Sequence, residues 1–132
     1  MTEIPSGFLD LLTEKKPLAH LATLQPDGSP QVTPVWFDFT DGVVRVNTAK
    51  GRVKARNLSE GSKVALSIVD PDNDYRYIQI RGTVTKETTD GADAHIDSLA
   101  KKYLDRDAYP FRSENEVRVI YEITPSAAQT MG

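Results

Sequence analysis

Six stretches with strand-like alternation, the turn signals between them, and one strong helical stripe predict a mainly β chain. The architecture they imply is a six-stranded antiparallel barrel with two or three short helices at its ends. The 132 residues read as a single domain, 1–132. A chain of that length buries roughly two-thirds of its unfolded surface, enough for a sizeable core.

The elements follow in order. Ser6 to Leu12 reads as a short amphipathic helix, capped by Ser6 and carrying Phe8, Leu9, Leu11 and Leu12. Leu18 to Leu24 is a strand, and Pro26-Asp27-Gly28 turns it. Gln31 to Thr40 is the next strand, with Asp41-Gly42 as a hairpin signal before Val43 to Asn47. These three read as a meander. Gly51 to Leu58 is a short helix. Lys63 to Val69 alternates and ends in the loop Asp70-Pro71-Asp72-Asn73-Asp74. Tyr75 to Glu87 is a long strand with a bulge or bend predicted at Gly82. Asp90 to Leu104 is the clearest helix, with Asp90 as cap and Ile96, Leu99, Ala100, Tyr103 and Leu104 along one face. Val117 to Ile123 is the last strand.

Composition narrows the function. The net charge is −3, whereas broad nucleic-acid binders usually have a pI above about 9. There is no cysteine, which excludes disulfides, thiolate metal sites and cysteine nucleophiles. No stretch approaches the roughly 18 apolar residues of a membrane span, and no leader is visible, so a soluble, cytoplasmic protein without membrane or nucleic-acid partners is expected. Phosphate-loop, dinucleotide and nucleophile-elbow motifs are missing. His20 and His95 are far apart and form no metal-spaced set, so no metal site is predicted. His20 reads as a core or half-buried residue, and His95 as surface or packing. Asp72/Asp74 and Asp105/Asp107 read as turn chemistry rather than acid–base machinery.

Against this mildly acidic background, Asn47-Thr48-Ala49-Lys50-Gly51-Arg52-Val53-Lys54-Ala55-Arg56 stands out. Lys50, Arg52, Lys54 and Arg56 fall within seven positions, at the junction of a strand and a helix. Unpaired N–H groups at a helix start, together with these cations and the Thr48 hydroxyl, favour a phosphate. A solvated basic helix is the competing reading. In Gln31–Phe39 one face carries Gln31, Thr33, Val35, Phe37 and Phe39, the other Val32, Pro34, Trp36 and Asp38. Both faces are substantially apolar, so the second needs a cover: a partner subunit, a planar ligand or both. Pro34 cannot donate to a ladder and belongs at an edge or bulge. Tyr75 and Tyr77 share a face and either wall a flat ring or pack a core. Three charge-assisted hydrogen bonds supply roughly 5–9 kcal/mol, marginal for micromolar binding at about 8 kcal/mol. A phosphorylated aromatic cofactor therefore fits better than free phosphate.

The stretches Leu21-Ala22-Thr23-Leu24 and Asp27-Gly28-Ser29-Pro30-Gln31-Val32-Thr33-Pro34-Val35-Trp36 resemble the opening of the pyridoxamine-phosphate-oxidase-like proteins. Asn47-Thr48-Ala49, Arg52 to Leu58 and Tyr77-Ile78-Gln79-Ile80-Arg81-Gly82-Thr83-Val84 are similar to the branch that uses the deazaflavin coenzyme F420. The likeness continues through His95 to Tyr103 and Tyr109-Pro110 and covers nearly the whole chain. It implies a six-stranded antiparallel split β-barrel of the FMN-binding type, forming a homodimer with cofactor grooves at the subunit interface. Carried over, Arg52 and Lys54 would hold the cofactor phosphate, helped by Asn47, Thr48, Ala49 and Lys50. Gln31, Val32, Thr33 and Pro34 would lie along the ring. Tyr75 and Tyr77 would wall the pocket of a small-molecule substrate; where many relatives carry a tryptophan, this chain has Tyr75. The activity implied is an F420-dependent oxidoreductase delivering a hydride to a conjugated or unsaturated acceptor. FMN is the alternative cofactor, and a non-enzymatic protein binding a cofactor or haem-derived ligand is a further alternative. Pyridoxamine phosphate oxidases usually run longer, so a chain stopping at Gly132 is expected to act on something else.

Overall fold

In a computed structural model, which describes residues 2–132, one curled antiparallel sheet wraps around a single core. Its strands are β1 (Ala19–Leu24), β2 (Pro30–Val35), β3 (Phe37–Thr40), β4 (Val43–Ala49), β5 (Lys63–Asp70), β6 (Asn73–Thr88) and β7 (Arg118–Met131). A 3-10 turn at Ser6–Phe8 precedes helix α1 (Asp10–Thr13), followed by α2 (Val53–Arg56) and α3 (Ala92–Leu104). The strand order is β2-β1-β5-β6-β7-β4-β3. This is a split barrel.

The count is seven strands rather than six, because the expected strand Gln31–Thr40 breaks at Trp36. Its first half pairs with β1, with His20 opposite Pro34, and its second half pairs with β4, with Phe37 opposite Val46. The expected meander is therefore corrected: β2 and β3 form opposite edges of the sheet. The continuous chain between them closes the barrel where no ladder does. Pro34 lies in an edge strand, where its missing N–H costs nothing. Val35 and Phe37 point into the core, while Val32 remains 63% exposed on the outer face.

The interior is filled by Leu21, Phe37, Val46, Leu66, Ile68, Ile78, Ile80 and Ile123, all essentially buried. Leu11 and Leu12 of α1 plug one end, packing on β3 and β5. Their burial together contributes roughly 3–6 kcal/mol. The last strand runs on to Met131, well past the expected Ile123. Its small or polar residues Thr124 to Thr130 carry no strong apolar alternation, and the stretch to Met131 is held by its ladder to β6. Helix α3 begins at Ala92, with Gly91 (φ 73°) rather than Asp90 at its N-cap. Helix α2 is a single turn, shorter than the expected Gly51–Leu58, so its dipole is small.

Gly82 sits where β6 shifts register against β7, as its place in the strand predicts. A Cβ there would stand 2.6 Å from the Thr124 carbonyl oxygen and 2.9 Å from Ile123 Cγ2. Gly82→Ala is expected to cost about 1–3 kcal/mol by overpacking, read as a lowered urea midpoint. An unaltered midpoint would contradict the close approach.

A second tie fastens the N-terminal segment to the β5–β6 hairpin. Asp70 accepts from Lys15 Nζ at 2.7 Å, from Arg76 Nη1 at 2.8 Å and from the Asp72 N–H at 2.9 Å. Arg76 also grips Asp10, donating from Nη2 to Oδ1 at 2.6 Å. The Lys15 hydrogen bond foremost, then those from Asp72 N–H and Arg76, hold the Asp70 carboxyl far below its ordinary range. A carboxyl lowered by folding stabilises fully above its unfolded value of about 3.9 and stops doing so as pH falls through its folded value. Asp70→Asn should therefore destabilise most at neutral pH, with a penalty that shrinks progressively as pH falls below about 3.9. Denaturation curves showing a penalty independent of pH across that range would exclude this role.

Candidate functional site

Beside the bend at Trp36 a cleft of about 180 Å³ opens between β2, β4, α2, α3 and the start of β7. One end is cationic. Arg52, at the N-cap of α2, and Lys54 within it meet Arg118, the first residue of β7. The turn is anchored by Asn57, which donates to Thr23 Oγ1 at 3.1 Å, while that hydroxyl donates to Gln31 at 3.2 Å. Burial lowers the affinity of Lys54 for its proton, and the charges of Arg52 and Arg118 lower it further. Such mutual repulsion is relieved by an anion.

One carboxylate already stands there. Glu116 accepts from Arg118 Nη1 and from the Ser113 N–H at 3.0 Å, and lies 3.9 Å from Arg52 Nη2. Burial pushes its carboxyl up, but the hydrogen bonds from Ser113 and Arg118 outweigh that and leave it below its ordinary value. Three cations against one carboxylate leave two positive charges. At the same end, Thr48 is 1% exposed and its hydroxyl has no partner among the described residues.

The other end is aromatic. Trp36 stacks on Tyr103 with centroids 5.4 Å apart, and Tyr109 meets Trp36 edge-on at 5.9 Å. Phe111 continues the row, edge-on to Tyr109 at 5.7 Å, and the Arg118 guanidinium lies 5.2 Å over the Tyr109 ring. Tyr103 is fixed by donating its hydroxyl to the Pro17 carbonyl at 2.7 Å, and burial raises its phenol above the ordinary value. The loop carrying Tyr109 and Phe111 is fastened to α3. Asp97 accepts from the Tyr109 N–H at 2.9 Å and from Arg112 at 2.7 Å, and Arg112 also reaches Asp93 at 3.1 Å.

Of the residues singled out in the sequence, Pro34, Asn47, Thr48, Arg52 and Lys54 line this cleft. Ala49 is buried beside it in β4, and Lys50 points to solvent, as does Arg56. Gln31 is half-buried against Thr23, Val32 is exposed, and the Thr33 hydroxyl is buried without a partner among the described residues. Tyr75, 76% exposed, and Tyr77 lie on β6, outside the cleft lining. Arg118, Tyr109, Phe111 and Glu116 were not assigned a role. Tyr109 belongs to a stretch that carries the family likeness, but nothing local distinguishes Arg118, whose Asn47 partner is 71 positions away. Among the described residues, no group of three His, Asp or Glu side chains could hold a metal ion, and no helix is long and apolar enough to cross a membrane.

The family model for pyridoxamine 5'-phosphate oxidase matches residues 8–132. The chain belongs to that family. A solved structure described as an F420 reductase is 35% identical to this oxidase-family chain, over 96% of it and 98% of the other, with a TM-score of 0.82. A FAD and heme binding protein from Mycobacterium smegmatis shares the fold at 19% identity and a TM-score of 0.68, over 98% of this chain and 71% of that one. General Stress Protein 26 from Bacillus anthracis does so at 19% and 0.62, over 91% and 88%. Among curated protein sequences, none matches.

A buried hydroxyl left without a partner costs about 1–3 kcal/mol. Thr48→Val keeps the shape and removes that cost. It should stabilise the ligand-free protein by about 1–3 kcal/mol while weakening anion binding. Chemical denaturation showing clear destabilisation would mean that the hydroxyl serves the fold instead.

Proposed function

We propose that this chain is a dimeric oxidoreductase that uses reduced F420 to deliver a hydride to a conjugated or unsaturated organic acceptor. One observation carries the reading. One cleft joins three cations and a buried Thr48 hydroxyl, without a partner among the described residues, to a wall of aromatic rings. The residues fit a phosphorylated planar cofactor. Arg52, Lys54 and Arg118 would hold its phosphate, Thr48 would donate a hydrogen bond, and Asn47 and Ala49 would shape the floor at the end of β4. Gln31 to Pro34 would run along the ring, with Trp36 and Tyr109 at its side. Lys50 would add long-range attraction from the surface. Tyr75 and Tyr77 would border the acceptor in the assembled dimer.

F420, when bound, supplies the hydride chemistry. The chain's own residues bind, orient and exclude water. The guanidinium and ammonium groups fix one end of a ligand by charge-assisted hydrogen bonds, each worth about 1.5–3 kcal/mol. The ring wall sets the tilt of the planar part and keeps water from one of its faces.

A single chain's cleft of about 180 Å³ is smaller than the roughly 300–1,000 Å³ typical of ligand sites. A second copy would complete it. Val32, on the same outer face as the cleft-lining Pro34, is 63% exposed, and Leu24 beside it is 54% exposed. A large apolar side chain left open at this place is what a homodimer would cover.

The 35% identity to the F420 reductase supports the deazaflavin. FMN-dependent oxidoreduction is the second reading. The two net positive charges suit its phosphate monoester dianion as well as a diester with a carboxylate nearby.

Arg52→Ala combined with Lys54→Ala should weaken F420 binding at least about tenfold, followed by cofactor fluorescence, with the melting temperature nearly unchanged. Wild-type affinity in that double variant would remove the phosphate assignment.

A further inference from the structure

We propose that His95 is a positioning residue that aims the Arg118 guanidinium into the cleft by acting through Asn47. The proposal rests on reading the cleft as an anion site. His95 is 5% exposed and does not line the cleft, so it touches no ligand itself. It joins a buried polar relay built from four elements of the fold.

The relay runs in one direction. The Asn47 carboxamide has two N–H donors and one acceptor oxygen. Both donors are used. Asn47 Nδ2 lies 2.9 Å from the Ala92 carbonyl oxygen and 3.1 Å from His95 Nδ1. That leaves Asn47 Oδ1 to accept from Arg118 Nε at 2.9 Å. His95 Nδ1 must then be bare and its proton must sit on Nε2, which faces Asp38 Oδ2 at 3.1 Å. Asp38 is held as an acceptor by a two-pronged contact with Arg45, at 2.8 and 2.7 Å. Reversing any one link sets donor against donor or acceptor against acceptor.

An apolar ring in place of His95 would fill the same space but remove one of the two tethers on the Asn47 amide. The amide, then held on its N–H side by the Ala92 carbonyl alone, would rock about that bond, so the guanidinium would lose its fixed edge. Arg118 would keep Glu116 and drift toward it, away from a ligand. Asn47 and His95 stand 48 positions apart, and His95 meets Asn47 and Arg118's neighbourhood because α3 packs on β4 and β7.

Three proteins decide the matter at pH 7.5: wild type, His95→Phe and His95→Asn. The asparagine amide oxygen reaches the place of Nδ1 and keeps the acceptor toward Asn47. Side-chain NMR reads the exchange of Arg118 Nε–H with water, and calorimetry reads pyrophosphate binding. Slow exchange is expected in wild type and fast exchange in His95→Phe. That variant should also bind pyrophosphate about three- to tenfold more weakly, and His95→Asn should restore both properties. Unchanged exchange and affinity in His95→Phe would overturn the proposal, as would a His95→Asn protein that folds normally and behaves like the phenylalanine variant. The wild-type imidazole gives a test that needs no variant: nitrogen shifts showing the proton on Nδ1 would also overturn it. If wild type binds no pyrophosphate, the anion-site reading fails, while the exchange data still decide the positioning role.

Discussion

At Trp36 the chain leaves one free edge of the sheet and joins the other. The rest of the architecture depends on that crossing. β2 and β3 share no ladder, so the barrel is held shut by the covalent run Val35-Trp36-Phe37 and by what grips it. The grip is specific: Trp36 lies flat on Tyr103 at an interplanar angle of 8°, and Tyr103 is bonded to Pro17. Lys102 adds a hydrogen bond to the Phe37 carbonyl at 2.7 Å, and burial lowers its ammonium to about 8. Val35 and Phe37 can then face the core on either side of the bend. The same bend leaves the cleft open at its flank, so closure of the fold and formation of the site are one event.

Electrostatics give the cleft its bias. Gathering Arg52, Lys54 and Arg118 around one carboxylate runs against the overall acidity of the protein and is unfavourable until an anion arrives. A buried Thr48 hydroxyl without a partner among the described residues adds to that tension. Features that weaken the empty fold yet suit a phosphate are characteristic of binding sites, where local rules are broken for function. Rigid support lies behind them: an edge-on aromatic row on one side and the Asp93/Asp97–Arg112 clasp on the other.

Much of the fold was legible because period-2 alternation reports burial directly. β1, β4, β5 and β6 fall close to their expected bounds, and Gly82 marks its bulge. The break at Trp36 was hidden by the same signal, since apolar residues occupy both faces through Val35-Trp36-Phe37 and no change of pairing partner shows in the pattern. The tail of β7 was hidden for the opposite reason, being held by ladder bonds rather than by apolar side chains. Half of the cleft was visible as a local cluster of cations after β4. The other half comes from Arg118, Tyr109 and Phe111, brought in by pairing of β7 with β4 and by docking of a loop on α3. His95 reads in the sequence as surface or packing. It is buried, but both ring nitrogens are engaged.

Side-by-side equilibrium titration of dialysed wild-type protein with F420 and with FMN, at one salt concentration, decides whether the cleft is a deazaflavin site. Fluorescence of each cofactor gives its affinity. Micromolar or tighter binding of F420 is expected, with FMN bound distinctly more weakly. Failure of both to bind below about 100 μM, a free energy of only about −5.5 kcal/mol, would contradict it and return the cationic corner to solvent-exposed surface.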